Sequence, residues 1–288
     1  MLFHRILASV AAVAPGVMAF LSGAATPAFA QQPTPWQLNF QPAASPVAER
    51  IHSFHDMLLV LITVITAFVL LLLLYVMVRF NAKANPTPSR TTHNTTIEVL
   101  WTVVPILILV GIAVPSFKLL YFGDRHPNPD MTLKVMGYQW YWGYAYPDQG
   151  NITFESRMVE TQDLKPGQPR LLATDNPVVV PVDTNIRVLL STDNVLHSWA
   201  VPSFGIKTDT TNGRLNQTWF RATKTGTFYG QCSELCGVNH GFMPVEVKVV
   251  SKAEFAQWVA SKKKAAALTA PASTIELAGR ADTSARGN

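Results

Sequence analysis

The sequence predicts a two-helix transmembrane hairpin carrying an all-β exported domain. Three observations predict it: two long uncharged apolar runs, a following stretch of short β-type segments between turn residues, and a composition of 14% charged against 48% hydrophobic residues. The net charge of +5 does not point to nucleic acid. Residues 124–250 hold twelve acids and eleven bases, so the positive excess sits in the N-terminal segment, the loop between the apolar runs and the C-terminal tail. A nucleic-acid binder concentrates that excess on one folded face.

Residues 1–30 carry Arg5, an apolar stretch rich in small residues and Ala28-Phe29-Ala30, the pattern of a secretory signal peptide with its cleavage site. Pro15, Gly16, Gly23 and Pro27 interrupt the stretch and argue against a third membrane helix. The mature chain is expected to start at Gln31, with residues 31–56 an exported segment. Residues 57–121 form the hairpin. From Met57 to Val78 there is no charged residue, and at about 1.5 Å per residue this run spans a hydrocarbon core of about 30 Å. The second span covers about residues 99–120 and includes Pro105, Gly111 and Pro115, which a membrane helix tolerates when its neighbours restore the lost bonds. The loop 79–98 holds Arg79, Lys83 and Arg90 with no acid before Glu98, which places it in the cytoplasm. Both mature termini then face the periplasm of a bacterial inner membrane.

Residues 122–260 read as the exported domain. Short runs at 132–146, 170–172, 178–182, 186–191, 217–223, 226–230 and 244–250 are separated by Pro, Gly, Asn and Asp, which suggests a β-sandwich or barrel. A short helix is expected from Ala253 to about Ala260, and residues 261–288, basic and Ala-rich, read as a disordered tail.

The chemistry concentrates in Cys232-Ser-Glu-Leu-Cys236-Gly-Val-Asn-His240-Gly-Phe-Met243. These are the chain's only two cysteines, and a disulfide between them is one reading. A structural zinc site is a second, although zinc usually takes Cys or His pairs from two separate knuckles and has no use for Met. Thiolate and thioether are soft ligands that favour copper. A single blue copper centre needs one Cys, so the second Cys here argues for two coppers bridged by both thiolates, with His197 as an outlying imidazole.

The segment from Gly230 to His240 resembles the dicopper CuA loop of subunit II of haem-copper cytochrome c oxidases. The resemblance runs from about Ile51 to Val259. It includes Leu196-His197-Ser198-Trp199-Ala200-Val201-Pro202-Ser203, Lys207-Thr208-Asp209 and Gly213-Arg214-Leu215-Asn216-Gln217. It implies a cupredoxin-like Greek-key domain with the copper loop joining its last two strands. The implied CuA ligands are His197, Cys232, Glu234 through its main-chain oxygen, Cys236, His240 and Met243. The Glu234 carboxylate is implied to bind a magnesium ion shared with subunit I.

The same resemblance gives Trp140, within Tyr138-Gln139-Trp140-Tyr141-Trp142, the role of accepting electrons from cytochrome c. Alternating aromatics of this kind also simply cover a core or a membrane interface. Many relatives have an acid five residues after this tryptophan, whereas this chain has Ala145. Asp148, Asp193 and Asp209 remain as candidates for an acidic docking rim. Ile97-Glu98-Val99-Leu100-Trp101 matches the position where a glutamate admits protons to a channel into subunit I, although an acid at a helix end is often merely solvated. The implied partners are subunits I and III, cytochrome c, the lipid bilayer and a copper assembly factor. The implied outcome is reduction of oxygen to water in subunit I, coupled to proton translocation. There is no Cys-x-x-Cys-His, so no haem is expected in this chain. A quinol oxidase subunit would lack the copper ligands, and a nitrous oxide reductase would need a further His-rich domain. A structural sandwich with one disulfide is the non-redox alternative.

Overall fold

A computed structural model describes residues 30–269. The expected signal peptide lies outside the described residues except for Ala30, as does the tail beyond Thr269.

Two helices come first, α1 (Pro46–Arg79) and α2 (Thr95–Asp124), each long and apolar enough to cross a membrane. Helix α1 begins well before Met57, where the apolar run starts. Ser45 is its N-cap, its Oγ accepting from the Ala48 amide at 3.1 Å, and Pro46 occupies the first turn, where no amide hydrogen is needed. The added turns carry Glu49, Arg50, His52, His55 and Asp56, so hydropathy hides them while helix propensity permits them. Ser45 Oγ also donates to the Phe204 carbonyl (2.7 Å), and the Ala44 amide donates to Ser203 (2.8 Å). These bonds seat the start of α1 on the β domain. Gly205 makes that approach possible: its φ is +68°, and a Cβ there would lie 3.0 Å from the Ala48 backbone. At the start of α2, Asn94 accepts from the Ile97 amide (3.2 Å) while Glu98 accepts from the Asn94 amide (3.2 Å).

The strands are β1 (Ala30–Gln31), β2 (Met131–Tyr138), β3 (Tyr141–Tyr146), β4 (Ile152–Ser156), β5 (Val178–Pro181), β6 (Ile186–Thr192), β7 (His197–Val201), β8 (Ile206–Thr210), β9 (Asn216–Phe220), β10 (Gly226–Cys232) and β11 (Pro244–Val250). One sheet has the order β4-β3-β2-β6-β9. The other has the order β5-β11-β10-β7-β8, with β1 pairing beside β10. Inward-facing side chains of both sheets, among them Trp142, Trp199, Phe220, Phe228 and Leu190, form one buried core. The expected architecture, an apolar helical hairpin followed by an all-β domain, is what the chain forms.

The structure corrects several details. The run 132–146 is a hairpin, turning at Gln139–Trp140, so that Tyr138 pairs with Tyr141. Residues 170–172 are a turn and not a strand, with Leu171 at φ +66°. Strands β1, β4, β7 and β8 were not expected. Strand β7 is buried at every position, so it shows no alternation to read. Helix α3 (Lys252–Thr269) extends nine residues into the segment expected to be disordered, and its Trp258 packs on Tyr146 with ring centroids 5.1 Å apart.

One buried acid in β11 gives a pH prediction. Burial pushes the Glu246 carboxyl above its ordinary value, against the pull of hydrogen bonds from the Thr174 amide (2.7 Å) and hydroxyl (3.2 Å). The folded state therefore holds this proton more tightly than the unfolded state. The contribution to stability is full below the ordinary glutamate value and is lost as pH rises through the folded one. Glu246→Gln keeps an acceptor for Thr174 and is expected to gain thermal stability relative to the parent as pH rises above the ordinary glutamate value. Melting curves across that range check it, and a difference independent of pH would remove ionisation as the cause.

Candidate metal centre

Strands β7 and β10 build the site. They pair antiparallel over only two positions, Gln231 with Ala200 and Cys232 with Trp199, which brings the head of β7 beside the end of β10. A Cβ on Gly230 would lie 1.8 Å from the Ala200 carbonyl oxygen, so only glycine allows this contact. The Ser233 amide then donates to Ser198 (3.0 Å) and the Cys232 amide to the Met243 carbonyl (3.0 Å), closing the loop between β10 and β11.

Within this frame the ligand-type atoms converge. Cys232 Sγ lies 3.8 Å from His197 Nδ1 and 3.8 Å from Cys236 Sγ, and Cys236 Sγ lies 3.7 Å from His240 Nδ1. The Glu234 carbonyl faces Cys232 Sγ at 3.3 Å. His197, Cys232 and Cys236 are buried and place one ligand atom each within 4.8 Å of the others, a group that could hold a metal ion. Met243 is buried in the same cluster of core residues as both cysteines. His240 opens a short 3-10 turn, its amide donating to Gly237 (3.1 Å), and is half-buried. All six residues expected as ligands thus lie in or beside one loop, and the donor set of thiols, imidazoles and a thioether is soft.

The electrostatics of the protein groups here favour their neutral forms. Burial and the adjacent Cys232 push the Cys236 thiol up to about 12, and burial, helped by His240, pushes His197 below its ordinary value. A bound cation supplies the charge that lets such thiols ionise.

Three supporting residues were not foreseen. Asn194 Oδ1 lies 3.3 Å from His197 Nε2 and is oriented by the Val195 amide at 2.7 Å. A carbonyl oxygen only accepts, so Nε2 carries the hydrogen and Nδ1 presents its lone pair to the sulfurs. Gly137 leaves room for that ring, since a Cβ there would sit 2.6 Å from His197 Cδ2. Gln139 donates to the Cys236 carbonyl (3.0 Å), which Trp140 Nε1 also reaches (3.1 Å). Asn194 stands three residues before His197, a polar neighbour in a turn, and nothing in its spacing marks it as a partner.

The remaining expected residues are spread out. Trp140 is half-buried and packs beside Gly237, whose φ of +120° and close approach to the indole both require glycine. Asp193 and Asp209 are exposed near the copper-type loop, Asp209 pairing across β7–β8 with Ser198, the neighbour of His197. Asp148 lies at the other end of β2, where its carboxylate accepts from the Thr132 amide (2.6 Å). Glu98 sits in the first turn of α2, at the opposite end of that helix from the β domain.

Comparison with known proteins adds a family. Residues 131–250 match the family model described as cytochrome c oxidase subunit II, periplasmic domain, and residues 33–119 match its transmembrane domain. The chain is 54% identical over 239 residues to a probable cytochrome c oxidase subunit 2 of Rickettsia bellii, covering 83% of this chain and 89% of that protein. It is 48% identical to cytochrome c oxidase subunit 2 of Cereibacter sphaeroides, covering 82% and 86% of the two chains. The crystal structure of the periplasmic domain of subunit II of the Bradyrhizobium japonicum cytochrome oxidase is similar, with a TM-score of 0.46 and 54% identity, over 49% of this chain and 98% of that one.

Proposed function

The chain belongs to the family of cytochrome c oxidase subunit II, a subunit of a haem-copper oxidase, and from that premise we propose that it takes electrons from cytochrome c at Trp140 and delivers them to the haem of subunit I. The observation that carries this is the convergence of Cys232, Cys236, His197 and His240 with their donor atoms in steps of 3.7–3.8 Å. We assign the copper ligands as His197, Cys232, Glu234 through its carbonyl, Cys236, His240 and Met243. Two copper ions held there would supply one-electron acceptance and release.

The chain's own residues do the rest. Cys232 and Cys236 would hold the copper between them, and the strand pairing around them keeps the cage stiff, so that little would rearrange when charge arrives. Asn194 holds His197 in the tautomer that binds. Trp140 offers a short path inward, because its indole N–H is bonded to the Cys236 carbonyl. Asp193 and Asp209 would steer a basic donor toward this face, setting encounter rate more than affinity. Asp148 would steer only from farther away. Glu98 would admit protons at the cytoplasmic end of α2 toward subunit I, and the Glu234 carboxylate would share a magnesium ion with that subunit. Subunit III completes the assembly.

The basic loop after α1 supports a bacterial inner-membrane protein with its β domain and mature termini in the periplasm, reached through a cleaved signal peptide at residues 1–30. In that oxidising compartment the two thiols, 3.8 Å apart, would close to a disulfide unless an assembly factor keeps them reduced and delivers copper.

Copper analysis with electron paramagnetic resonance on the full chain tests the reading. Two coppers per chain and hyperfine structure from two equivalent copper nuclei are expected. No copper, with Cys232 and Cys236 joined, would favour the structural alternative. Trp140→Phe removes the N–H that bonds Cys236 and is expected to slow reduction by cytochrome c while copper content stays unchanged. Stopped-flow absorbance measures it, and an unchanged rate would take the electron-accepting role away from Trp140.

A further inference from the structure

We propose that this chain binds the headgroup of an anionic phospholipid in a cleft where the start of α1, the end of α2 and the region around β9 meet. A cavity of about 820 Å³ opens there, and its wall contributes three basic side chains, Arg50, Lys118 and Arg125, and no acid. Among the described residues the only ion pair joins Arg157 and Glu155, so none of the three is held in a direct ion pair there. Like charges gathered at a membrane edge without a counter-ion repel one another, and an anion relieves that cost.

The cleft is built and not merely left over. The Arg50 guanidinium carbon lies 3.4 Å from the centre of the Phe122 ring, a contact that leaves its N–H edge free for an anion. Phe122 packs against Trp219 with ring centroids 5.8 Å apart, and the Trp219 indole donates to the Gly123 carbonyl (3.0 Å), tying α2 to β9. His126 adds a polar atom that wants a partner: its Nε2 is buried without a hydrogen bond, while its Nδ1 lies 3.3 Å from Gln217 Nε2. With the Gln217 amide donating to Nδ1, the hydrogen sits on Nε2, a buried donor without a partner in a residue that lines the cleft.

A second observation selects a lipid over a free phosphate. A smaller groove of about 320 Å³ shares Arg50 and Lys118 with the cleft and is otherwise bordered by residues such as Phe54, Met57 and Leu119, between the two membrane helices. A charged head cavity joined to an apolar groove along a membrane hairpin has the shape of an amphiphile. Inorganic phosphate would use the first and leave the second unfilled.

The test uses the complete chain within its oxidase complex, reconstituted in phosphatidylcholine vesicles with a minor fraction of spin-labelled phosphatidylglycerol. Immobilised phosphatidylglycerol is expected in excess over immobilised phosphatidylcholine probe, and each of Arg50→Gln, Lys118→Gln and Arg125→Gln is expected to weaken its retention about five-fold. Arg90→Gln, in the loop at the far end of the hairpin, serves as control and should change nothing. Copper content and subunit composition of each variant complex confirm that it has assembled before its lipid retention is compared. Equal retention of both lipids would overturn the proposal, as would retention unaffected by the three substitutions. Displacement of the lipid by inorganic phosphate would reassign the cleft to the free ion. No immobilised lipid at all would show the groove covered by a partner subunit, and would equally overturn it.

Discussion

Replacing Cys232 with serine is expected to abolish the paired copper site while leaving the β domain folded. The serine hydroxyl is a hard ligand that does not ionise near neutral pH, and it cannot bridge two copper ions as a thiolate does. The fold survives because what Cys232 gives its neighbours is mostly backbone: its amide bonds the Met243 carbonyl at 3.0 Å, and it pairs in register with Trp199. Loss of a group that merely supports a metal ligand typically lowers affinity or activity by roughly 10–100-fold, and loss of a bridging ligand should exceed that. Copper per chain and oxygen consumption by the assembled complex measure the effect. A serine variant that retained both coppers and their shared spectrum would refute the bridging role and return the two cysteines to a structural one.

Gly230→Ala is expected to damage fold and site together. The new methyl would lie 1.8 Å from the Ala200 carbonyl oxygen, 2.8 Å from its carbon and 3.1 Å from Val201 Cα, all backbone atoms that cannot rotate away. Strands β7 and β10 would have to separate by roughly 1 Å, at a cost of about 1–3 kcal/mol or more. Their pairing spans only two residues, so it has little to resist with. Because His197 heads β7 and Cys232 ends β10, separation lengthens the 3.8 Å approach of Nδ1 to Sγ. Copper retention should fall even in the fraction that folds. Denaturant midpoints and copper content together check this, with Gly241→Ala as control, since a Cβ at Gly241 meets nothing within 4 Å. A Gly230→Ala chain with parental midpoint and copper content would mean that the β7–β10 contact does not hold the site together.

These two positions show how unevenly the site was legible. Cys232 stands in a short segment whose residue types name a chemistry by themselves, because Cys236, His240 and Met243 follow it within one loop. Gly230 is one of 16 glycines, and only the Ala200 carbonyl opposite it reveals its role. Asn194 was invisible for the same reason: it is a turn residue until the fold sets its oxygen 3.3 Å from His197 Nε2. Among the acids expected to form a docking rim, sequence could not separate Asp193 and Asp209 from Asp148, which the β2–β3 pairing carries to the far end of β2, beside Thr132.

The elements divide along the same line. Runs without charge marked both membrane helices, since burial in hydrocarbon is a property of each residue and leaves a local trace. The start of α1 at Pro46 left only the capping pair Ser45-Pro46, which hydropathy does not read, and its polar turns are seated by bonds from Ser45 and Ala44 to residues about 160 positions away. Strand β7 was missed because a strand buried on both faces has no alternation. The sequence by itself determined the membrane hairpin, the all-β class and the run of soft donors from Cys232 to Met243, all of which depend on composition and short spacing. Only the tertiary structure decided which strands pair, which imidazole nitrogen faces the sulfurs and which cations share a cleft beside β9. Those outcomes depend on contacts between residues distant in the chain, whose partners are chosen by packing and hydrogen bonding across the whole domain and not by any local pattern.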